Sequence, residues 1–304
     1  MKERASMNRT ITLTNDEKTQ LKEKINFEYK NIDSIICGDF DQINDSIQDN
    51  SVDLILLDPP YNLTKKYGEN TFKAMSDTEY IEYVLSIFKK CLKKLKPTGT
   101  MYVCGDWKTS YLQRRALEYC EDDMLCEVIN RITWARDKGR GSEKNWKNNI
   151  EDIYMVVKSK DNYTFNINNV KMRKTVLAPY KDKNGNNKDW QDDGEGAYRM
   201  THPSNVWFDI TVPFWSMSEN TDHPTQKSEK LYAKLILASS DEGDLVYEPF
   251  GGVCTGSVTA KKLNRKFISV ERELDYCLLG QKRLDLADVN KNIQGYEDGI
   301  FRDK

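Results

Sequence analysis

The stretch Val52-Asp53-Leu54-Ile55-Leu56-Leu57-Asp58-Pro59-Pro60-Tyr61 decides the reading of this chain: an aliphatic run closed by a carboxylate, two prolines and an aromatic ring. Runs this short, aliphatic and stopped by proline read as buried parallel strands rather than helices. Proline fixes φ and has no N–H, so the carbonyls around Pro59 and Pro60 are left to accept bonds from a ligand. The carboxyl end of a strand in an open α/β sheet is where ligands bind. Asp58, stiff acceptor carbonyls and Tyr61 therefore meet at a place suited to chemistry.

Working outward, Ser34-Ile35-Ile36-Cys37-Gly38-Asp39-Phe40 reads as a strand ending in Gly-Asp, followed by a weakly amphipathic helix over 41–48. A polar, mobile loop is expected from Asn62 to Met75. Asp77 to Lys96 is the clearest helix. Ile81, Val84, Leu85, Phe88, Leu92 and Leu95 lie on one face, Ser76 or Asp77 caps it, and Pro97-Thr98-Gly99 stops it. Strands are expected over 100–104, 126–134, 152–158, 244–247 and 266–270. Helices are expected over 107–119, 228–239, 257–264 and 274–286. Residues 1–30 read as an extension with one short helix around 17–24 and little to anchor it. The tail from Asp288 reads as polar and frayed.

Composition narrows the function classes. Charged residues make up 31% of the 304, yet the net charge is −2, so a nucleic-acid surface has to come from segregated charge. Such segregation occurs between Ala135 and Asp222. Arg136, Lys138, Arg140, Lys144 and Lys147 surround Trp146, and Lys171, Arg173 and Lys174 open a second basic cluster followed by Trp190, Tyr198, Trp207 and Trp215. Cations interleaved with aromatics suit phosphate contacts and base stacking. Seven scattered cysteines without a Cys-x-x-Cys pair, beside two histidines, speak against zinc and fit a reduced cytoplasmic setting. The N-terminus shows no signal peptide and no apolar run reaches a membrane span. No Gly-x-x-x-x-Gly-Lys-Ser/Thr occurs, so a nucleotide triphosphatase is unsupported.

Two further stretches carry chemistry. Glu248-Pro249-Phe250-Gly251-Gly252-Val253-Cys254-Thr255-Gly256 is a glycine loop between strand and helix, where a backbone can approach a ligand closely. Glu271 ends the next strand, placed to accept both hydroxyls of a ribose. Just ahead of the loop's strand and helix stands Asp222-His223-Pro224-Thr225-Gln226-Lys227.

Together, Gly-Asp, Asp-Pro-Pro-Tyr, a basic insertion, His-Pro-Thr-Gln-Lys and a glycine loop, in that order over residues 34–286, resemble the β-class DNA amino-methyltransferases. The resemblance implies an α/β fold: a doubly wound, mostly parallel, Rossmann-like sheet of seven strands, one antiparallel. The implied plan is an N-terminal extension (1–30), a catalytic half (31–134), a target-recognition region (135–222, with a sheet strand near 152–158), a cofactor-binding half (223–287) and a tail (288–304). It implies S-adenosylmethionine as methyl donor and adenine N6 in a flipped-out base as target, with the cytosine 4-amino group as the runner-up. A non-catalytic DNA-binding relative is the alternative from another class. Asp58, Pro59, Pro60 and Tyr61 would form the transfer site. Asp39, Phe40, Asp58, His223, Thr225, Lys227, Glu248, Pro249, Phe250, Gly251, Gly252, Thr255 and Glu271 would surround the cofactor. Double-stranded DNA is the implied partner, and a homodimer and a cognate restriction endonuclease stay open.

The chain also departs from the family pattern. Ser228 stands where a proline is usual. In the loop, usually Asp-Pro-Phe-x-Gly-Ser-Gly-Thr, Glu248, Val253 and Cys254 replace the aspartate, the serine and the second glycine. Valine and cysteine adopt positive φ less readily than glycine, so an altered loop path is expected.

Overall fold

A computed structural model describes residues 5–136, 139, 141, 143–177, 180–192, 194 and 196–302. In chain order the first part of the chain contains α1 (Asn15–Lys22), β1 (Ser34–Cys37), α2 (Phe40–Ser46), β2 (Val52–Leu57), β3 (Lys65–Tyr67), β4 (Asn70–Phe72), α3 (Asp77–Lys94), β5 (Leu95–Asp106), α4 (Thr109–Asp122) and β6 (Glu127–Ala135). The middle of the chain adds β7 (Ile150–Val157), β8 (Met172–Thr175), β9 (Gln191–Asp192), β10 (Ala197–Thr201) and β11 (Val206–Trp207). The last part holds α5 (Glu229–Ser239), β12 (Leu245–Glu248), α6 (Thr255–Lys262), β13 (Lys266–Glu271), α7 (Leu274–Val289), β14 (Tyr296–Glu297) and β15 (Ile300–Phe301).

The main sheet runs β1-β13-β12-β2-β5-β7-β6-β11. Its neighbours pair in parallel except for β7, which is antiparallel to both β5 and β6. The seven implied strands are thus present, with two-residue β11 added at the edge. Apolar side chains of β2 are fully buried because helices cover both faces. One core holds α2, α3 and α4 against the sheet, and the other holds α5, α6 and α7. After β2 the chain crosses through α3 to β5, while after β12 it crosses through α6 to β13 on the opposite side. The crevice between the carboxyl ends of β2 and β12 is therefore the switch point at which such sheets bind ligands.

Several expectations need correction. Pro97 does not lie in a turn after the helix. The chain passes from α3 directly into β5 at Leu95, and Pro97-Thr98-Gly99 occupies the stretch where pairing with β2 slips from Val52↔Leu95 to Leu54↔Thr100. A proline without an N–H is tolerated where the ladder is irregular. Ser76 caps α3 with Glu79 in a reciprocal capping box. Residues 62–75 are not a featureless loop, since β3 and β4 form a hairpin.

The N-terminal extension is also well anchored. Leu21 and Ile25 enter the core, and Lys18–Asp275 and Glu17–Lys282 ion pairs tie α1 to α7. The tail is ordered as far as it is described, to Arg302. β15 joins β8, β10, β9 and β14 in a second sheet, and Phe301, fully buried, packs with Val170, Met172, Ala233, Leu237 and Ile293. Residues 135–222 thus share a sheet and a small core with the C-terminus.

Removing the Phe301 ring empties a fully buried site in this core, so Phe301→Ala should lower the unfolding free energy by about 3–5 kcal/mol. Urea denaturation would check this; a change below about 1 kcal/mol would mean the tail contributes little.

Candidate active site

β2 delivers Asp58 to the carboxyl edge of the sheet, and the two prolines after it prevent the strand from continuing. The loop is held from below, with the Tyr80 hydroxyl donating to the Pro60 carbonyl at 2.9 Å and Asn62 N–H donating to Thr109 Oγ1 at 3.2 Å. Asp58 Oδ2 accepts from Lys227 Nζ at 2.7 Å, and Oδ1 accepts from the Tyr61 hydroxyl at 2.9 Å. Burial holds the Asp58 carboxyl above the usual range, with Lys227 opposing and Glu151 reinforcing the rise. Burial by itself would lower Lys227, but Asp58 and Glu151 reverse this and keep it cationic. Burial raises the Tyr61 phenol, and both carboxylates raise it further.

Glu151 is the residue that sequence reasoning missed. Its Oε2 accepts from the Tyr61 hydroxyl at 3.1 Å and lies 3.3 Å from Lys227 Nζ, while Oε1 accepts from Arg136 at 2.9 Å. Because β7 runs antiparallel, the start of this strand lies at the edge where the parallel strands end. A Glu-Asp pair opening the run Ile150–Val157 was the available signal.

A cavity of about 470 Å³ opens between the Asp58 loop and the glycine loop. Every residue expected at the transfer and cofactor positions borders it. Phe40 and Phe250 stack at 5.1 Å on one wall. Asp39 caps α2 through a 2.9 Å bond from Asp41 N–H. Glu271 accepts from Gly252 N–H and Glu273 N–H, each at 2.7 Å, and burial pushes its carboxyl up to about 7. Glu248 uses its carboxylate differently. It accepts from Gly256 N–H, Ser257 N–H and the Ser257 hydroxyl, so it caps α6 behind the cavity wall. His223 lies edge-on to Tyr276 at 4.5 Å, and burial followed by Lys227 lowers it to about 3, leaving it neutral. Its ring stands 3.1 Å from where a Cβ on Gly252 would be, and Gly252 has φ +52°, so a side chain there meets both a contact and strain.

The altered glycine loop contains a left-handed residue at Cys254. Cys254, at φ 57° and ψ 40°, takes the position that glycine usually fills, whereas Val253 avoids positive φ. A left-handed non-glycine residue costs roughly 1–2 kcal/mol. Packing holds Cys254 there: it is fully buried, and a Cβ on Gly280 of α7 would come within 2.5 Å of its sulfur. Burial raises its thiol, which suits a packing role. Arg283 donates to the Val253 carbonyl and to Thr255 Oγ1, both at 2.8 Å, and to Glu229 at 2.9 Å, so α7 pins the loop to α5.

The β3–β4 hairpin reaches from the Asp58 side of the cavity to the start of α7. Glu273 accepts from Glu69 N–H at 2.9 Å and from the Asn70 side chain, and Arg272 donates to Asn70 Oδ1 at 2.8 Å. Gly68 N–H donates to the Tyr276 hydroxyl at 3.2 Å.

The expected DNA contacts separate into three groups. Arg136 pairs with Glu151 at 2.9 Å, with its side chain 24% exposed. Lys144, Trp146 and Lys147 are exposed on the β6–β7 connection, while Lys174 is exposed and Lys171 and Arg173 are half-buried at β8. Arg173 lies 4.0 Å over the Tyr198 ring. Lys138 and Arg140 lie outside the described residues.

With this geometry in hand, the relatives are informative. The DNA methylase family pattern, of the N6/N4 type, matches residues 52–282. Type II methyltransferase M.HpaI of Haemophilus parainfluenzae is 32% identical over 252 residues, covering 83% of this chain and 74% of that protein. DNA adenine methyltransferase YhdJ of Escherichia coli K12 is 34% identical over 259 residues, covering 84% and 83%. Among solved structures, PvuII DNA methyltransferase (cytosine-N4-specific) aligns with a TM-score of 0.60 at 19% identity, over 86% of this chain and 93% of that one. The M1.HpyAVI–SAM complex aligns at 0.55 and 21% identity, over 86% and 99%. The structures agree on the fold, and the sequence relatives agree on the family. This chain belongs to the DNA amino-methyltransferases that act on adenine N6 or cytosine N4.

Proposed function

We propose that this chain methylates the 6-amino group of adenine in DNA, using S-adenosylmethionine and a base turned out of the duplex. The observation that carries the reading is Asp58, fixed at the end of β2 where the glycine-loop cavity opens. The adenine assignment follows the Asp in Asp-Pro-Pro-Tyr and the likeness to YhdJ.

The cavity fits the cofactor chemically. Asp39 suits the adenine amine, Glu271 the ribose hydroxyls, the Phe40–Phe250 pair the apolar faces, and Thr225 with Lys227 the methionine end. When bound, the sulfonium supplies a methyl group already activated for in-line displacement. The protein's own contribution is alignment and charge. The Asp58 carboxylate and the Pro59 carbonyl accept the hydrogens of the target amine, favour a pyramidal nitrogen and stabilise the positive charge that develops on it. Tyr61 offers a ring for the extruded base. The exposed residues of the β6–β7 connection and of β8 would meet the DNA, with phosphate contacts positioning and base-edge contacts specifying.

Sequencing that detects modified bases, on DNA from a methylation-free host expressing the chain, should find N6-methyladenine at one short motif. N4-methylcytosine instead would move the target to the runner-up base. Asp58→Ala should lower the methylation rate about 100–1000-fold while DNA binding persists. A wild-type protein that binds DNA without methylating it would favour the non-catalytic reading.

A second test uses Glu271. Its carboxyl takes a proton below about pH 7 and then accepts fewer hydrogen bonds, so cofactor binding should weaken as pH falls. Between pH 8 and pH 6 the dissociation constant should rise roughly tenfold, read by calorimetry, and Glu271→Gln should abolish that dependence. A flat wild-type profile would remove Glu271 from the ribose site.

A further inference from the structure

Both oxygens of Asp58 already accept a bond, one from Lys227 and the other from Tyr61. Each oxygen keeps acceptor capacity, but a target amine that bonds to this carboxylate competes with Lys227 and Tyr61 for its charge and for the space around it. A buried ammonium that loses its carboxylate is left uncompensated, which is strongly unfavourable. Glu151 meets that need. Its Oε2 already lies 3.3 Å from Lys227 Nζ and 3.1 Å from the Tyr61 hydroxyl, so either group can change partner with a small shift. Arg136 grips the other oxygen at 2.9 Å and holds the carboxylate in place. Its strand reinforces this rigidity, since Glu151 stands between Asp106 of β5 and Trp134 of β6 in the ladder and is 5% exposed. Asp58 and Glu151 face Lys227 and Arg136, with half-buried Lys65 nearby, so a cation stays beside each carboxylate whichever one Lys227 attends.

We propose that Glu151 is a positioning residue that receives Lys227 and Tyr61 when the target amino group takes Asp58. This rests on the reading of Asp58 as the acceptor for that amine.

The charge relation makes the role measurable. Besides Glu151 on β7, Asp58 is faced by Lys227 ahead of α5, Tyr61 on its own loop, Lys65 and Tyr67 of the hairpin, Tyr80 of α3, Cys104 of β5 and Tyr232 of α5. Of these neighbours, Glu151 is the carboxylate whose negative charge helps hold the Asp58 carboxyl up. Neutralising it should move the acid limb of kcat to lower pH.

The experiment compares purified wild-type, Glu151→Gln, Glu151→Asp and Asp58→Ala proteins by steady-state and single-turnover methylation of duplex DNA across pH. S-adenosylmethionine affinity and thermal midpoint are measured alongside. Glu151→Gln should lose about 10–100-fold in kcat while KM for DNA and cofactor affinity stay within about threefold, because the loss is confined to the transfer step. Its acid limb should move down. Glu151→Asp keeps the charge but not the reach, so its rate should fall with the limb near the wild-type position.

Wild-type kcat in Glu151→Gln, beside an inactive Asp58→Ala, would overturn the role of Glu151 alone. A loss that tracks cofactor affinity or thermal midpoint, with the acid limb unmoved in both Glu151 variants, would also overturn it. An active Asp58→Ala enzyme would overturn both readings. If Glu151→Gln does not fold, the rate and acid limb of Glu151→Asp decide: an unchanged rate overturns the proposal.

Discussion

The ammonium of Lys227 joins the two halves of this molecule. It extends from the start of α5 to the end of β2, 169 residues earlier in the chain, and lies among Asp58, Glu151 and the Tyr61 ring. A buried cation without a carboxylate is costly, so this pairing constrains where α5 begins relative to β2. The helix repeats the device. Lys230 and Lys234, both buried, pair with Asp209, and Lys230 also donates to the Arg302 carbonyl. Three lysines around one helix thus reach the sheet, the middle segment and the C-terminus. Such pairs are weak evidence for stability, but they disfavour alternative placements of these elements.

Around this centre, the cavity is shaped by contacts that leave some polar groups available and use up others. Glu248 spends its oxygens on the first turn of α6, whereas Glu271 binds two backbone amides at the cavity edge. Arg283, tied to Glu229 and through it to Lys262, holds the Val253–Thr255 backbone from behind. Glu219 accepts from Glu229 N–H, and burial together with the Glu229 charge pushes its carboxyl up to about 8. The unusual Cys254 therefore sits in a loop whose path is supported on several sides. This support lets a non-glycine residue occupy a left-handed position without opening the turn.

Much of this was legible beforehand, for definite reasons. The aliphatic run before Asp58, short and closed by prolines, reads as a buried strand, and the glycine loop and the carboxylate of Glu271 have a known place at strand ends. Motif order then identified the family, and the cavity gathers every residue expected at its transfer and cofactor positions. Other features were hidden because they depend on distant partners. The hairpin at 65–72 has only three residues per strand, too short for alternation to register. The tail owes its order to pairing with β8, more than 120 residues away. The charge of Arg136 was visible in the sequence, but its pairing with Glu151 was not.

By itself, the sequence determined the strand–loop chemistry: Asp58 behind two prolines, the glycine loop ahead of α6, and the alternation of strands and helices that makes a doubly wound sheet. Those properties are local, set by backbone dihedrals and by the period of apolar residues. Only the tertiary structure decided which carboxylates and cations meet. Glu151 enters the site because β7 runs against its neighbours, which turns the beginning of one strand toward the ends of the others. Strand direction depends on long-range pairing, so a one-dimensional pattern does not carry it.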